Sequence, residues 1–431
     1  MPFAQALRWW LRLGFISFGG PAGQIAIMHE ELVEKRRWIS EARFLHALNY
    51  CMVLPGPEAQ QLATYIGWLM HGVRGGIAAG ALFVLPSLLI LVALSWAYLA
   101  LGALPAVAGA LYGIKPAVTA IVLHAAWRIG KRALRNGWLG LLAGAAFVAL
   151  LLDAPFPLVI AGAGLAGLLG GRLAPAHFAA APAHTAAGSA GPALIDDATR
   201  MPHTHFSRGR FARHVAVGLS LWALAFAALA WGFGADHLLT QMAWFFTTAA
   251  LLTFGGAYAV LPYVVQAAVL DYGWLTTGQM IDGLALGETT PGPLIMIVAF
   301  VGFVGGWQQA SFGPDHLLLA GAAAATVATF FTFLPSFLFI LLGGPLVEDT
   351  HGDIRFAAPL SAITAAVVGV IVNLALFFAL HVLWPGGLDG AFEWTAAVIG
   401  LAATVALFRF NVGIIPAIAA CAVAGLVYAL A

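Results

Sequence analysis

Charge is what this chain has least of. Only 9% of its 431 residues are Asp, Glu, Lys or Arg, against 62% hydrophobic, and the mean hydropathy is +0.93. A soluble domain carries about a quarter charged residues, so the chain reads as an all-α polytopic membrane protein. Apolar runs such as Ile77–Leu99, Leu104–Trp127, Val215–Phe233, Leu317–Leu342 and Pro359–Trp384 are long enough for a hydrocarbon core of about 30 Å. Cysteine is scarce too. Cys51 and Cys421 lie far apart in apolar surroundings, which argues against a disulfide framework or a thiolate metal cluster. No phosphate-binding loop, nucleophile–base pair or metal-ligand cluster is visible, which disfavours an ATP-driven pump and a membrane enzyme. No catalytic residue, metal or cofactor is expected. Arg8 and Arg12 sit inside the first apolar stretch with no cleavage site after it, so that stretch reads as mature structure rather than a signal peptide.

Basic residues are missing from one half. Residues 1–213 hold 17 Lys/Arg and 8 Asp/Glu, whereas 214–431 hold 2 and 10. A basic half could bind nucleic acid in a soluble protein. Here the charges fall between apolar spans, so the positive-inside rule is the better reading.

What is abundant is repetition. At an offset of 236 residues, Ser17-Phe18-Gly19-Gly20 falls on Thr253-Phe254-Gly255-Gly256, Trp38 on Trp274, and Pro55-Gly56-Pro57 on Pro291-Gly292-Pro293. After an insertion around Gln308–Ala320, Leu85-Pro86-Ser87 falls on Leu334-Pro335-Ser336 at offset 249. Three units follow. Residues 1–172 are the first copy, 173–213 a linker, and 214–431 an extra crossing helix plus the second copy. The linker is rich in Ala, Pro, His and Ser and reads as a flexible solvent-exposed tether. Its His177, His184, His203 and His205 lack metal-ligand spacing.

The first-half basic clusters, Lys35-Arg36-Arg37, Arg74, Arg128 to Arg135 and Arg172, together with the linker, can all lie on one, cytoplasmic side. The equivalent second-half positions lose Lys/Arg, and Asp271, with Glu348, Asp349 and Asp353 in a loop, stands instead. One added span at about 214–233 would turn the second copy over. The expectation is an inverted tandem repeat, each half holding two re-entrant broken-helix hairpins and about four transmembrane helices. The N-terminus and linker would be cytoplasmic, the C-terminus periplasmic or extracellular, and the membrane the cytoplasmic (inner) one.

The hairpins are read from four breaks. Irregular backbone survives at membrane depth only under protein cover or beside a polar cavity. Proline and glycine end one helix and start the next. Hairpins are expected at about 3–36, 42–70, 238–270 and 278–307, with arms of about 12–16 residues, or about 18–24 Å. Four converging tips would present helix N-termini, which suit an anion. Ser17, Thr253, Thr289 and Thr290 would add hydroxyl donors, and Gln24, Gln60 and Gln61 amide donors. A packing kink is the bland alternative for any one break. Four related breaks placed by a repeat favour a site for a compact oxyanion.

The stretches FISFGGPAGQIAIMHEELVEKRRWIS, LPGPEAQQLATYIGWLMHG, LLTFGGAYAVLPYV, LGETTPGPL and FLPSF resemble the chromate ion transporter family in its long-chain, two-domain form. The resemblance covers most of 10–130 and 245–375. It implies chromate efflux and chromate resistance, with chromate or a sulfate-like dianion as substrate. Sulfate uptake and a passive anion channel are the competing readings. Lipid surrounds the chain, nucleic acid is not expected, and a homo-oligomer is left open.

Beside the breaks, Glu58 and Glu288 are buried-carboxylate candidates for proton coupling; helix capping is the bland role for Glu58. Lys115, inside its span, needs a partner, such as Glu58 or the anion. Asn49, His124 and Asn373 read as interhelical hydrogen-bonding groups. His29, Glu30, Glu31 and Glu34 read as a solvated face, with Glu30 able to reach the cavity. Trp9, Trp10, Trp38, Trp274, Trp307 and Trp384 read as interface markers.

Overall fold

A computed structural model describes residues 2–18, 20–178, 193–196, 199, 201–350 and 357–431. Among these residues regular structure is helical, with one isolated bridge between Ile39 and Ile195. Six helices are long and apolar enough to cross a membrane. The chain is a multi-pass membrane protein.

The first copy opens with α1 (Phe3–Ile16), α2 (Gly20–His29, prolonged by a π-helical turn Glu30–Lys35) and α3 (Glu41–Cys51). The long α4 (Glu58–Leu101) reverses at His71 and Gly72, where Gly72 takes φ +64°. Then come α5 (Pro105–Ala133), α6 (Gly137–Leu151), α7 (Phe156–Leu173) and the short α8 (Pro175–Phe178). Next is α9 (Arg208–Phe233), of which Gly218 alone is buried. The second copy runs α10 (Leu238–Leu252), α11 (Ala257–Val265, prolonged by a π-helical turn Gln266–Asp271), α12 (Thr277–Thr289), α13 (Ile297–Gln308), α14 (Leu317–Thr350), α15 (Ala357–Leu383), α16 (Trp394–Arg409) and α17 (Ile414–Leu430).

Local detail repeats at the sequence offset. Ser17 ends α1 at φ −79°, ψ 75°, and Thr253 ends α10 at φ −78°, ψ 74°. The two π-helical turns occupy equivalent positions. Ser40 caps α3 and Thr276 caps α12, each hydroxyl accepting from the backbone N–H three residues on. The packing is reciprocal as well: α6 and α7 lie on α15, while α16 and α17 lie on α5. Small residues set the approach, as apolar side chains gain little against lipid. A Cβ on Gly113 would come 2.0 Å from the Cys421 carbonyl oxygen, so α5 and α17 touch backbone to backbone.

Three expectations are corrected. Described linker residues are docked rather than free: Ile195 is buried, the Ser40 N–H donates to its carbonyl at 2.9 Å, and the His203 ring bonds the Trp68 carbonyl at 2.9 Å. His184 and Asp353 lie outside the described residues. Glu348 belongs to the last turns of α14, not to a loop. Trp9, Trp10, Trp38 and Trp274 are core side chains. Trp9 and Trp10 lie on the buried face of α1, and Trp9 and Trp38 flank the Arg36 guanidinium at 5.2 and 5.0 Å.

Candidate functional site

Each break leaves a tip between two short arms, with described residues 17–18, 52–57, 253–256 and 290–293. The tips are tied crosswise. The Gly56 N–H donates to the Thr253 carbonyl at 2.7 Å, and the Gly292 N–H donates to the Ser17 carbonyl at 2.8 Å. These two bonds are repeat-equivalent, and each joins one copy to the other. Only glycine fits both donors. Gly56 has φ +127° and Gly292 φ +108°, where a side chain is strained.

Side chains brace the tips. The Gln24 amide, fully buried, donates to the Ser17 carbonyl at 3.2 Å and the Gly292 carbonyl at 2.6 Å. Gln61 donates to the Pro55 carbonyl at 2.7 Å and Gln60 to Thr64 Oγ1 at 3.0 Å. Ser17 and Thr253 hydroxyls each donate at 2.6 Å to the carbonyl four residues back. Thr289 and Thr290 likewise bond carbonyls of their own helix. This corrects the expectation of four free hydroxyl donors. An apolar membrane helix offers each hydroxyl an unopposed carbonyl one turn back, and these four take it.

The remaining tip residues are placed as follows. Phe18 is partly exposed and Gly19 lies outside the described residues. Gly20 opens α2 at φ +70° with open space around it. Pro57 and Gly256 are the N-caps of α4 and α11, and Pro293 precedes a short 3₁₀ turn. Pro55 is half-buried, Pro291 is buried, and Phe254 and Gly255 are half-buried. A Cβ on Gly255 would lie 3.8 Å from Thr364 Oγ1.

Two carboxylates stand at the tips. Glu58 Oε1 is 3.9 Å from where a Cβ on Gly256 would be, so the start of α4 faces the first tip of the other copy. Glu288, one residue before the end of α12, accepts from the Tyr258 hydroxyl. Among the described residues neither carboxylate forms an ion pair.

Two ionic clusters flank α4, one beside its reversal and one beside its C-terminal end. At the linker end, Arg43 of α3 meets Glu348 of α14 at 2.6 Å, Tyr65 donates to the same carboxylate, and Arg43 also donates to the Asp196 and Thr199 carbonyls. At the far end, Lys115 of α5 lies 3.6 Å from Asp282 of α12, and Tyr98 donates to Asp282 at 3.0 Å. Lys115 thus pairs with Asp282 rather than with Glu58, one of the two partners named for it. Both clusters join first-copy to second-copy elements. Glu30 is exposed and paired with Lys35 at 2.8 Å.

The family profile described as chromate transporter matches residues 4–168 and 240–426, one block for each copy. The chain belongs to the chromate transporter family. Its chromate transporter relatives include a chromate transport protein of Pseudomonas aeruginosa, 35% identical over 376 residues, 86% of this chain and 80% of that one. A chromate transport protein of Cupriavidus metallidurans is 30% identical over 378 residues, 87% and 82% of the two chains. An uncharacterised transporter of Bacillus subtilis is 31% identical over 138 residues, 70% of its own length but 32% of this chain. No solved structure matches.

Sequence reasoning about this chromate transporter family member missed Tyr258, Asp282, Tyr98, Arg43 and Tyr65. Asp282 carried a signal: it is a lone carboxylate in the apolar run Met280–Leu286, where an unpaired charge is costly. The tyrosines carried none, because a hydroxyl at a ring's tip needs a partner that only the fold supplies.

Proposed function

We propose that the chain is a secondary transporter exporting chromate across the cytoplasmic membrane at the expense of the proton gradient, and so confers chromate resistance. The observation that carries this is the crosswise tie of four helix breaks by Gly56 and Gly292, in a chain whose family and curated relatives are named for chromate transport. Helix starts gathered at one place suit a compact tetrahedral dianion. The inverted repeat is supported by where equivalent helices begin. α3 starts beside the linker residues Asp196 and Thr199, on the side where α4 reverses, whereas α12 starts near Tyr98, at the C-terminal end of α4.

On this reading, the Arg43–Glu348 and Lys115–Asp282 clusters are the two ends of the pathway. Each must part for the tips to be reached from its side, since both bridge the copies. Lys115 then serves the outer cluster rather than holding the anion. Glu58 and Glu288 carry the protons. Export driven by proton entry requires the two to alternate, so these carboxylates take up protons at the outer side once the anion has left and release them at the cytoplasmic side before the next anion binds.

Radiolabelled chromate and sulfate uptake into everted vesicles, with and without an imposed pH gradient, tests the proposal. Chromate should accumulate against its gradient only when the vesicle interior is acid. Sulfate accumulation with no chromate flux would make the chain a sulfate transporter. Flux that only runs downhill and ignores the pH gradient would make it a channel.

A further inference from the structure

Of the buried serine and threonine hydroxyls in the described membrane helices, nearly all are satisfied within the protein. Ser17, Ser95, Thr253, Thr329 and Thr332 donate to the carbonyl four residues back. Ser87 and Ser336 do not. Each is 1% exposed and its Oγ has no partner. They are repeat-equivalent, and each follows a proline inside a membrane helix, Pro86 in α4 and Pro335 in α14.

Both hydroxyls sit on the tips. A Cβ on Gly292 would lie 2.8 Å from Ser87 Oγ, and a Cβ on Gly56 would lie 2.4 Å from Ser336 Oγ. Each serine therefore packs on the tip glycine of the other copy, the same two glycines whose N–H groups tie the copies together. Two repeat-equivalent orphan hydroxyls, each against a tip glycine, require an explanation, because an unpaired buried donor loses its water hydrogen bonds for nothing. A serine hydroxyl rotates freely and can donate to whatever oxygen arrives. A tetrahedral oxyanion has two-fold axes that relate its oxygens in pairs, so it can take one such donor from each copy.

We infer that Ser87 and Ser336 are substrate ligands, donating one hydrogen bond each to two oxygens of a tetrahedral dianion held at the crossed tips. The inference deepens the transport reading and rests on it. It replaces Ser17, Thr253, Thr289 and Thr290, whose hydroxyl protons are engaged, with two whose protons are not. The small size of serine also lets the tip glycines approach, and alanine preserves that role while removing the donor.

The test uses full-length protein with Ser87→Ala, Ser336→Ala and the double substitution, in everted vesicles with radiolabelled chromate. Each single change should raise KM roughly tenfold and the double roughly a hundredfold, the loss expected of hydrogen bonds to a charged group, with Vmax changed less than about threefold. Ser87→Thr should restore much of the affinity. Ser95→Ala removes a satisfied hydroxyl of the same helix and should leave KM alone. Chromate-induced shifts in the thermal unfolding of purified protein report binding independently of flux, and a normal melting temperature without ligand shows that the variants fold. A double variant that keeps the wild-type KM and ligand-induced shift overturns the inference while the transport reading stands. A wild type that neither moves nor binds chromate or sulfate overturns both.

Discussion

At the scale of single residues, the tips depend on backbone that glycine alone adopts and on two carboxylates without cationic partners. Gly56→Ala forces a side chain into φ +127° and into the Ser336 hydroxyl. The backbone strain alone costs about 1–3 kcal/mol, and the Gly56–Thr253 hydrogen bond goes with it. Gly292→Ala should do the same at the equivalent place. Both should lower the melting temperature and abolish chromate uptake, whereas Gly144→Ala, in α6 with open space around it, should leave both unchanged. Glu288→Gln keeps shape and the Tyr258 contact but cannot lose a proton. Chromate counterflow across vesicles should persist in that variant, while stimulation by an imposed pH gradient should vanish. An unchanged response to pH would remove Glu288 from the coupling path.

At the scale of elements, the short arms stand out because each is a helix too short to span alone. They hold their place by packing against α4 and α14 and by the crossed tip bonds. The ionic cluster at the linker end ties an arm, α3, to α14. Arg43→Ala strands Glu348 without its cation, which should cost about 3–5 kcal/mol, whereas replacing both by methionine should recover most of it. Thermal unfolding of the three proteins measures the difference. The double variant should also admit a thiol reagent to Cys51, buried at the end of α3, faster than wild type does, if the cluster closes that side.

How much of this was legible follows from which residues write their structure locally. The four breaks were readable to within a few residues, because Pro55-Gly56-Pro57 and its copy cannot continue a helix whatever surrounds them. The caps Ser40 and Thr276 and the arm lengths follow from the same local rules. The π-helical turns at Glu30–Lys35 and Gln266–Asp271 were not readable, since nothing in EELVEK or QAAVLD departs from ordinary helix composition. Glu348 was misplaced because Glu-Asp-Thr-His-Gly-Asp looks like a polar loop. The distant Arg43 and Tyr65 make burial of that carboxylate tolerable. Gln24 was read as a ligand for the same reason: an amide in an apolar helix signals a partner without saying which, and here the partners are two backbone carbonyls.

At the scale of the whole molecule, reciprocity is the organising fact: α6 and α7 cover α15, α16 and α17 cover α5, and each copy supplies what the other lacks. Reporter fusions after Leu173 and at Ala431 should fall on opposite sides of the membrane, the linker side being cytoplasmic. Between the copies stands α9, of which Gly218 alone is fully buried, while Trp222, Ala225, Phe226 and Leu229 pack partly buried against the core and Trp222 donates to Thr247 Oγ1 at 3.0 Å. Its outer face should therefore accept any apolar residue, whereas the face holding Trp222, and Gly218 beside Leu338, should not. On the proposed inverted arrangement, deletion of α9 should bring a reporter at Ala431 to the linker side of the membrane. The orientation of half the protein would then be an addressable quantity, set by the parity of one segment.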